Sequence, residues 1–497
     1  MEIRANERRM VRWLFWAVAA CCITLIAGNP NAFAQETNRA EAKGERTLRA
    51  GAAAANITPA LGGSIVGGWA PIEATHIHDD PHARCLVLDN GTTRLAIVVC
   101  DNLGMPREIG DAARAMIREA TGIAADHVLI ACTHTHSAVT ARGDNRLVKD
   151  DEMNDYQRFI ARRIADGVRC AVNNLEPARV AWGAAQEPSQ VFNRRHFMKP
   201  GTPTPNPFGG EDRVVMNPPR GSDTLLKPAG PTDPEIVFLS VQSADGRPIA
   251  LLANYSLHYV GGVGNGHVSA DYFAIFADRI QQLLGADRLD PPFVGILSNG
   301  TSGDINNIDF YHKSEKRWAP YEKMREVAEC VAQAVYRAQQ DLKYQDWVEL
   351  GAGWQELTLQ ARKPTEEHLA YFRAVLAKPE GEKPYHVHEK VYARRVQQLH
   401  ESPDAITVPL QALRVGDLGI SAIPFEVFVE IGLELKEKVP LKEAFTISHA
   451  NGTYGYLPTV EQHKLGGYET WMGTNLVEIE AAPKIVATLL AMFERLR

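Results

Sequence analysis

The chain has 497 residues, 45% of them hydrophobic and 23% charged, with a formal net charge of −7. This is a globular composition, long enough for one large α/β domain with insertions or for two or three smaller domains. No Lys/Arg cluster is long enough for a nucleic-acid surface, which excludes nucleic acid as a partner, and the scattered cysteines without C-x-x-C spacing argue against a disulfide framework or a cysteine metal site.

Residues 1–34 read as a secretory signal peptide. Arg4, Arg8, Arg9 and Arg12 make a basic start, residues 13–27 are apolar but short for a membrane span, and Ala32-Phe33-Ala34 is a cleavage pattern. An uncleaved anchor or lipidation at Cys21 is the weaker alternative. Export to a periplasmic or extracellular location is therefore expected. Residues 35–47 form a polar, flexible lead-in, and 48–497 hold the folded domain.

In chain order, residues 95–101 are a continuous apolar run, as in a strand buried on both faces. Pro106 opens a helix to about residue 120. Residues 127–132 are the next strand. Residues 151–174 are helical, with Tyr156, Phe159, Ile160, Ile164 and Val168 on one face. Residues 180–183 return as a strand. The Pro- and Gly-rich stretch 199–233 predicts a long loop that serves either as a lid or as a disordered surface insertion. A hairpin comes next over 235–257, turning at Asp245-Gly246. A helix covers 271–285, and a strand over 293–297 runs into the loop 298–307. Residues 364–402 predict two helices with a charged face. Two strands flank Gly416-Asp417. A helix over 427–437, a strand over 445–448 and a helix over 477–496 close the chain. This alternation, without a clear linker, predicts a mixed-sheet α/β fold: a single large catalytic domain with helical and loop insertions.

Chemistry concentrates just after the apolar runs, where α/β proteins place function. Thr133-His134-Thr135-His136-Ser137 follows one strand. On an extended backbone, side chains at i and i+2 face the same way, so His134 and His136 would project together as half a zinc site. The pattern equally fits two strand-end histidines bonded to neighbours. Asn254-Tyr255-Ser256-Leu257-His258 ends the hairpin, Pro424-Phe425-Glu426 follows another strand, and Ala450 to Tyr456 follows the next. Two histidines and a glutamate with an open position are a known catalytic zinc set. The plain alternatives are a capped strand-end histidine at 258, a helix-dipole glutamate at 426 and a core aromatic at 456.

With these motifs, the chain resembles the catalytic domain of neutral (non-lysosomal) ceramidases. The likeness begins at Ala54 to Pro59 and runs through His82-Ala83-Arg84-Cys85. It is strongest at Thr133 to Ser137. It continues through Asn193-Arg194, Asn254 to His258, Ser298 to Asn307, Pro424 to Glu426, and Tyr456 to Tyr468. The resemblance implies Zn²⁺ bound by His134, His258, Glu426 and Tyr456, with Tyr468 in the active site and His136 and Arg194 lining the reaction centre. Two departures stand out. Asn306, in Gly303-Asp304-Ile305-Asn306-Asn307, occupies the place of the family's nucleophilic serine, with Ser302 four residues back. The chain also ends 29 residues past Tyr468, so no C-terminal immunoglobulin-like domain is expected.

Hydrolysis without that serine is chemically accessible, because zinc lowers the pKa of bound water to about 7. His136 or Asp304 would act as base, Tyr468 or Arg194 would stabilise the oxyanion, and Asn306 would hydrogen-bond the substrate. The expected substrate is a small molecule or lipid with an N-acyl or O-acyl bond. Ceramide itself, membrane-surface contact and oligomeric state stay open. One competing reading is a catalytically degenerate zinc-containing binding protein. Another is an amidohydrolase-type barrel, which also begins with His-x-His but needs eight strand–helix units.

Overall fold

Eight apolar runs pair into one sheet. In chain order its strands are β1 (Arg49–Asn56), β2 (His82–Asp89), β3 (Arg94–Cys100), β4 (Val128–Cys132), β5 (Glu176–Gln186), β6 (Glu235–Ser243), β7 (Pro248–Tyr255) and β8 (Val294–Asn299). Across the sheet the order is β8-β7-β6-β5-β1-β2-β3-β4. The pairs β7/β8 and β3/β4 are parallel and those between them antiparallel. A second sheet has the order β9 (Leu350–Gln360), β10 (Ala405–Val415), β11 (Leu418–Ala422) and β12 (Glu443–Ile447), with only β11/β12 parallel. The computed structural model describes residues 46–142, 152–313, 316–379 and 381–497, and within it Thr47–Arg497 forms one unit. The signal-peptide reading and nearly all of the lead-in lie outside the described residues.

The two sheets pack face to face. Leu86, Ile97, Leu129 and Leu239 of the first share one buried cluster with Leu413, Val415, Ile420 and Phe445 of the second. Helices cover the outer faces. α1 (Arg107–Thr121) and α2 (Asp155–Asn173) pack on one half of the first sheet, while α3 (Asp271–Leu283) and α4 (Glu322–Gln339) pack on the other. The second sheet is backed by α7 (Val429–Lys438) and α8 (Ala481–Leu496). Between β9 and β10 the chain inserts the helical hairpin α5 (Glu366–Leu376) and α6 (Glu389–Glu401). This is the mixed α/β, mixed-sheet fold that the alternation predicted.

Local chemistry sets several boundaries. Asn154 caps α2: its side chain accepts from the Gln157 N–H, and the Gln157 side chain returns a bond to the Asn154 backbone. Gly122 takes φ 73° at the end of α1, which glycine does without steric cost. The stretch 199–233 is more ordered than a loop. Its strands Val214–Met216 and Leu225–Pro228 flank Arg195–Met198 in a small antiparallel sheet. Sequence patterning also missed α4 and β9. α4 has apolar residues at helical spacing but starts from Tyr321 in a left-handed conformation without a side-chain cap, so no start signal precedes it. β9 is half-buried along most of its length and lacks a clean alternation. Among the described residues no helix is long and apolar enough to cross a membrane.

Candidate metal centre

Parallel pairing places the carboxyl ends of β3 and β4, of β7 and β8, and of β11 and β12 side by side, and the candidate residues come just after those ends. β4 stops at Cys132, and His134 then takes φ 68°, a conformation rare outside glycine. The predicted extended geometry for His134 and His136 is therefore not how they meet. The turn brings the two rings together at right angles with their Nε2 atoms 3.1 Å apart. His134 N–H donates to Asn102 O at 2.9 Å, and the Asn299 amide donates to Thr133 O at 3.1 Å, fixing the turn to β8. Glu426 and Tyr456 lie opposite each other in a short parallel bridge.

Hydrogen bonds assign the imidazole tautomers. Nδ1 of His134 bonds Leu103 O at 2.6 Å, Nδ1 of His136 bonds Gly67 O at 2.7 Å, and Nδ1 of His258 bonds Ser302 O at 3.0 Å. A carbonyl only accepts, so each Nδ1 carries the proton and each Nε2 presents a lone pair inward. These three donor atoms lie within 4.8 Å of one another. Glu426 Oε2 is 3.4 Å from His134 Nε2 and 3.9 Å from His258 Nε2. That oxygen is buried with no hydrogen-bond donor. Lone pairs facing lone pairs beside an unpartnered carboxylate repel unless a cation sits among them. Donors bonded at about 2.0–2.2 Å to one tetrahedral ion stand roughly 3.3–3.6 Å apart, close to the distances found. The residues present therefore fit a small divalent ion.

Electrostatics agree. Burial, then the neighbouring His134 and His258, hold the His136 imidazole well below its usual pKa. Burial does the same for His258. Burial alone would raise the Glu426 carboxyl, but positive charge placed at the facing positions of His134, His449 and His258 outweighs it and holds the group well below the usual carboxylate range. Burial pushes the Tyr456 phenol well up, and the Arg194 guanidinium, 3.0 Å from its oxygen, opposes that shift.

The centre opens into a cavity of about 180 Å³ lined by His134, His136, His258, Glu426, Tyr456 and Tyr468, together with Arg194. Every expected metal-site residue is thus brought to one place. A second cavity of about 460 Å³ shares Arg194, His258, Asn217 and Tyr259 with the first and carries Asn306. Asn306 donates to Asn217 Oδ1 at 2.7 Å. Asp304 is the exception, because it lines neither cavity. Its Oδ1 accepts from Val429 N–H at 2.9 Å and its Oδ2 from Asn193 at 2.8 Å. Ser302 also lines neither cavity. Its hydroxyl donates to Asn299 Oδ1 at 2.7 Å and sits on the Nδ1 side of His258, away from the inward Nε2.

Two residues of the site were not among those expected from the sequence. His449, at φ 51°, stacks on His134 with ring centroids 3.9 Å apart, and its Nε2 is buried without a partner. His449 forms a second group of donor atoms with His134 and Glu426. Its position directly after β12 was the available signal. Glu469, fully buried, accepts from Arg194 Nε at 2.8 Å and from Arg195 Nη1 at 2.7 Å, and so fixes the guanidinium that reaches Tyr456.

Fold and donor set together define a mixed α/β protein with a metal-ready cluster at the carboxyl ends of its parallel strands. Among solved structures, the chain is similar to neutral ceramidase from Pseudomonas aeruginosa, with a TM-score of 0.67 at 17% identity over 90% of this chain and 74% of that one. It is similar also to a ceramidase complexed with C2, with a TM-score of 0.66 at 16% identity over 91% of this chain and 76% of that one. At this identity the likeness is one of fold. No family model and no curated protein matches the sequence.

Proposed function

We propose that residues 48–497 are the catalytic domain of an exported zinc-dependent hydrolase that cleaves an amide or ester bond of an N-acyl or O-acyl compound by attack of water. The inward-facing Nε2 atoms of His134, His136 and His258 around the unpartnered Glu426 oxygen carry this reading. Zinc bound by His134, His258, Glu426 and Tyr456 would polarise the scissile carbonyl and bring the pKa of a water toward about 7. His136, neutral through burial, takes the proton of the attacking water at Nε2 and returns it to the leaving group. Arg194, clamped by Glu469 and Gly303 O, directs positive charge at Tyr456 and the developing oxyanion. Tyr468 offers a phenolic donor from the same wall. Asn306 hydrogen-bonds the substrate in the adjoining cavity. Asp304 is a positioning group that ties the 303–307 loop to α7.

The fold shared with ceramidases supports an acylated lipid or small molecule as substrate, and a lipid brings contact with a membrane surface. Export rests on the basic and apolar start of the chain and its Ala32-Phe33-Ala34 pattern. A zinc-containing binding protein is the second reading, favoured by Asn306 in the nucleophile's place and by Ser302 facing away from the cavity.

Elemental analysis and a hydrolysis screen of N-acyl and O-acyl lipids and sugars, with and without chelator, separate the two. We expect about one zinc per chain, chelator-sensitive turnover, and loss of both in His134→Ala, with activity down about 100-fold or more. Zinc retained in His134→Ala sinks the metal assignment. Bound zinc with no turnover on any substrate favours the binding protein.

A further inference from the structure

The helical insertion reaches the metal cavity. Arg395, on α6, lines that cavity beside Trp69, Arg194 and Tyr468. Its guanidinium carbon lies 5.1 Å from the Tyr392 ring centroid and 5.9 Å from that of Trp69. Its hydrogen bonds are long and go to neutral oxygens: Tyr392 Oη at 3.4 Å and Thr474 Oγ1 at 3.5 Å. Among the described residues no carboxylate pairs with it. Arg194 in the same cavity is different, because it is paired with Glu469, a carboxylate it shares with Arg195. The insertion is seated by His388, stacked on Trp69 with centroids 3.6 Å apart and planes 10° from parallel. Trp69 is still 50% exposed, so this wall is the mouth of the cavity.

A guanidinium held against aromatic faces keeps its planar fork free for two parallel N–H···O bonds to a carboxylate. Because the rings fix it in advance, little ordering remains to be done when an anion arrives. Rings also set its distance from the chemistry. Tyr456 meets Tyr468 edge-on at 5.6 Å, and Tyr468 meets Trp69 edge-on at 5.6 Å. Arg395 meets this row of rings at Trp69, its far end from Tyr456, so it addresses a group several bonds from the carbonyl under attack.

We propose that Arg395 is a specificity-determining residue that binds a carboxylate on the substrate, so that the substrate class is an acylated amino acid rather than a neutral acylated amino alcohol. This rests on the hydrolase reading for the location of the scissile bond, but the binding of the carboxylate does not depend on turnover.

The test is calorimetric binding to the metal-loaded protein. The ligands are N-butyrylglycine, N-butyryl-β-alanine and N-butyryl-γ-aminobutyrate, which extend the carboxylate stepwise, each paired with its uncharged carboxamide. At least one acid is expected to bind about tenfold or more tightly than its carboxamide. Arg395→Gln is expected to bring that ratio close to one, and Arg395→Lys to leave an intermediate ratio, with zinc content and melting temperature unchanged in both. A wild-type ratio near one for all three pairs overturns the proposal, as does a ratio that survives in Arg395→Gln. Carboxylate preference in a protein that holds no zinc would instead defeat the hydrolase reading and leave Arg395 its role.

Discussion

Asp304 shows how one side chain links loop geometry to pH. Burial raises its pKa to about 7, and the Val429 N–H opposes the shift. Between about pH 4 and 7 the unfolded chain releases this proton before the folded one does, so the folded state loses stability as pH rises through that window. Asp304→Asn keeps an acceptor for Val429 and removes the ionisation. Unfolding free energies from urea titrations at pH 5 and pH 8 should fall with rising pH more in the wild type than in the variant, by an amount on the order of a few kcal/mol at most. Parallel slopes in the two proteins would dispose of this account. At this scale the sequence was informative where a polar residue comes after an apolar run, as His258, Glu426 and Tyr456 do. It was silent on Glu469, whose partner Arg194 lies 275 residues away, and on the fact that Asp304 faces α7 and not the cavity.

At the scale of elements, the short bridge between Glu426 and Tyr456 depends on one close approach. Gly303 N–H donates to Val427 O at 2.8 Å, and a Cβ at Gly303 would meet Glu426 O at 2.7 Å and Val427 O at 2.9 Å. Both obstacles are backbone, which cannot swing aside. Gly303→Ala should therefore cost about 1–3 kcal/mol in urea unfolding and also weaken zinc binding, since relief moves the strand that carries Glu426. Stability lost with zinc affinity intact would separate the loop from the site. The period-two logic that located the strands could not give the shape of the turns at their ends. His134 and His136 converge through a left-handed turn, and α4 lacked a start signal because its first residue is uncapped. The stretch 199–233 looked like a loop because its strands are three and four residues long, too short for a period to show.

For the whole molecule, the shared cluster between the two sheets matters most. Leu413 on β10 is fully buried in the same cluster as Leu86, Ile97 and Leu239. One core for both sheets predicts a single cooperative unfolding transition, with circular dichroism and tryptophan fluorescence changing together. Leu413→Ala should lower stability by about 2–5 kcal/mol while keeping one transition. Two separated transitions would show that the sheets are independent domains. The fold class was readable because strand and helix periods alternate without a linker. The division into two stacked sheets was not, since apolar runs buried on both faces look alike whichever sheet they join.

The three carbonyl clamps on His134, His136 and His258 have a kinetic side. Each ring is locked at Nδ1 by main chain, so the orientation of the donors is settled when the protein folds and not when an ion arrives. A cation held there as proposed would meet donors already aimed, and on leaving it would not loosen them one at a time by ring rotation. Its exchange would wait on breathing of the surrounding backbone, and its residence time would be a property of the segments that carry Leu103, Gly67 and Ser302.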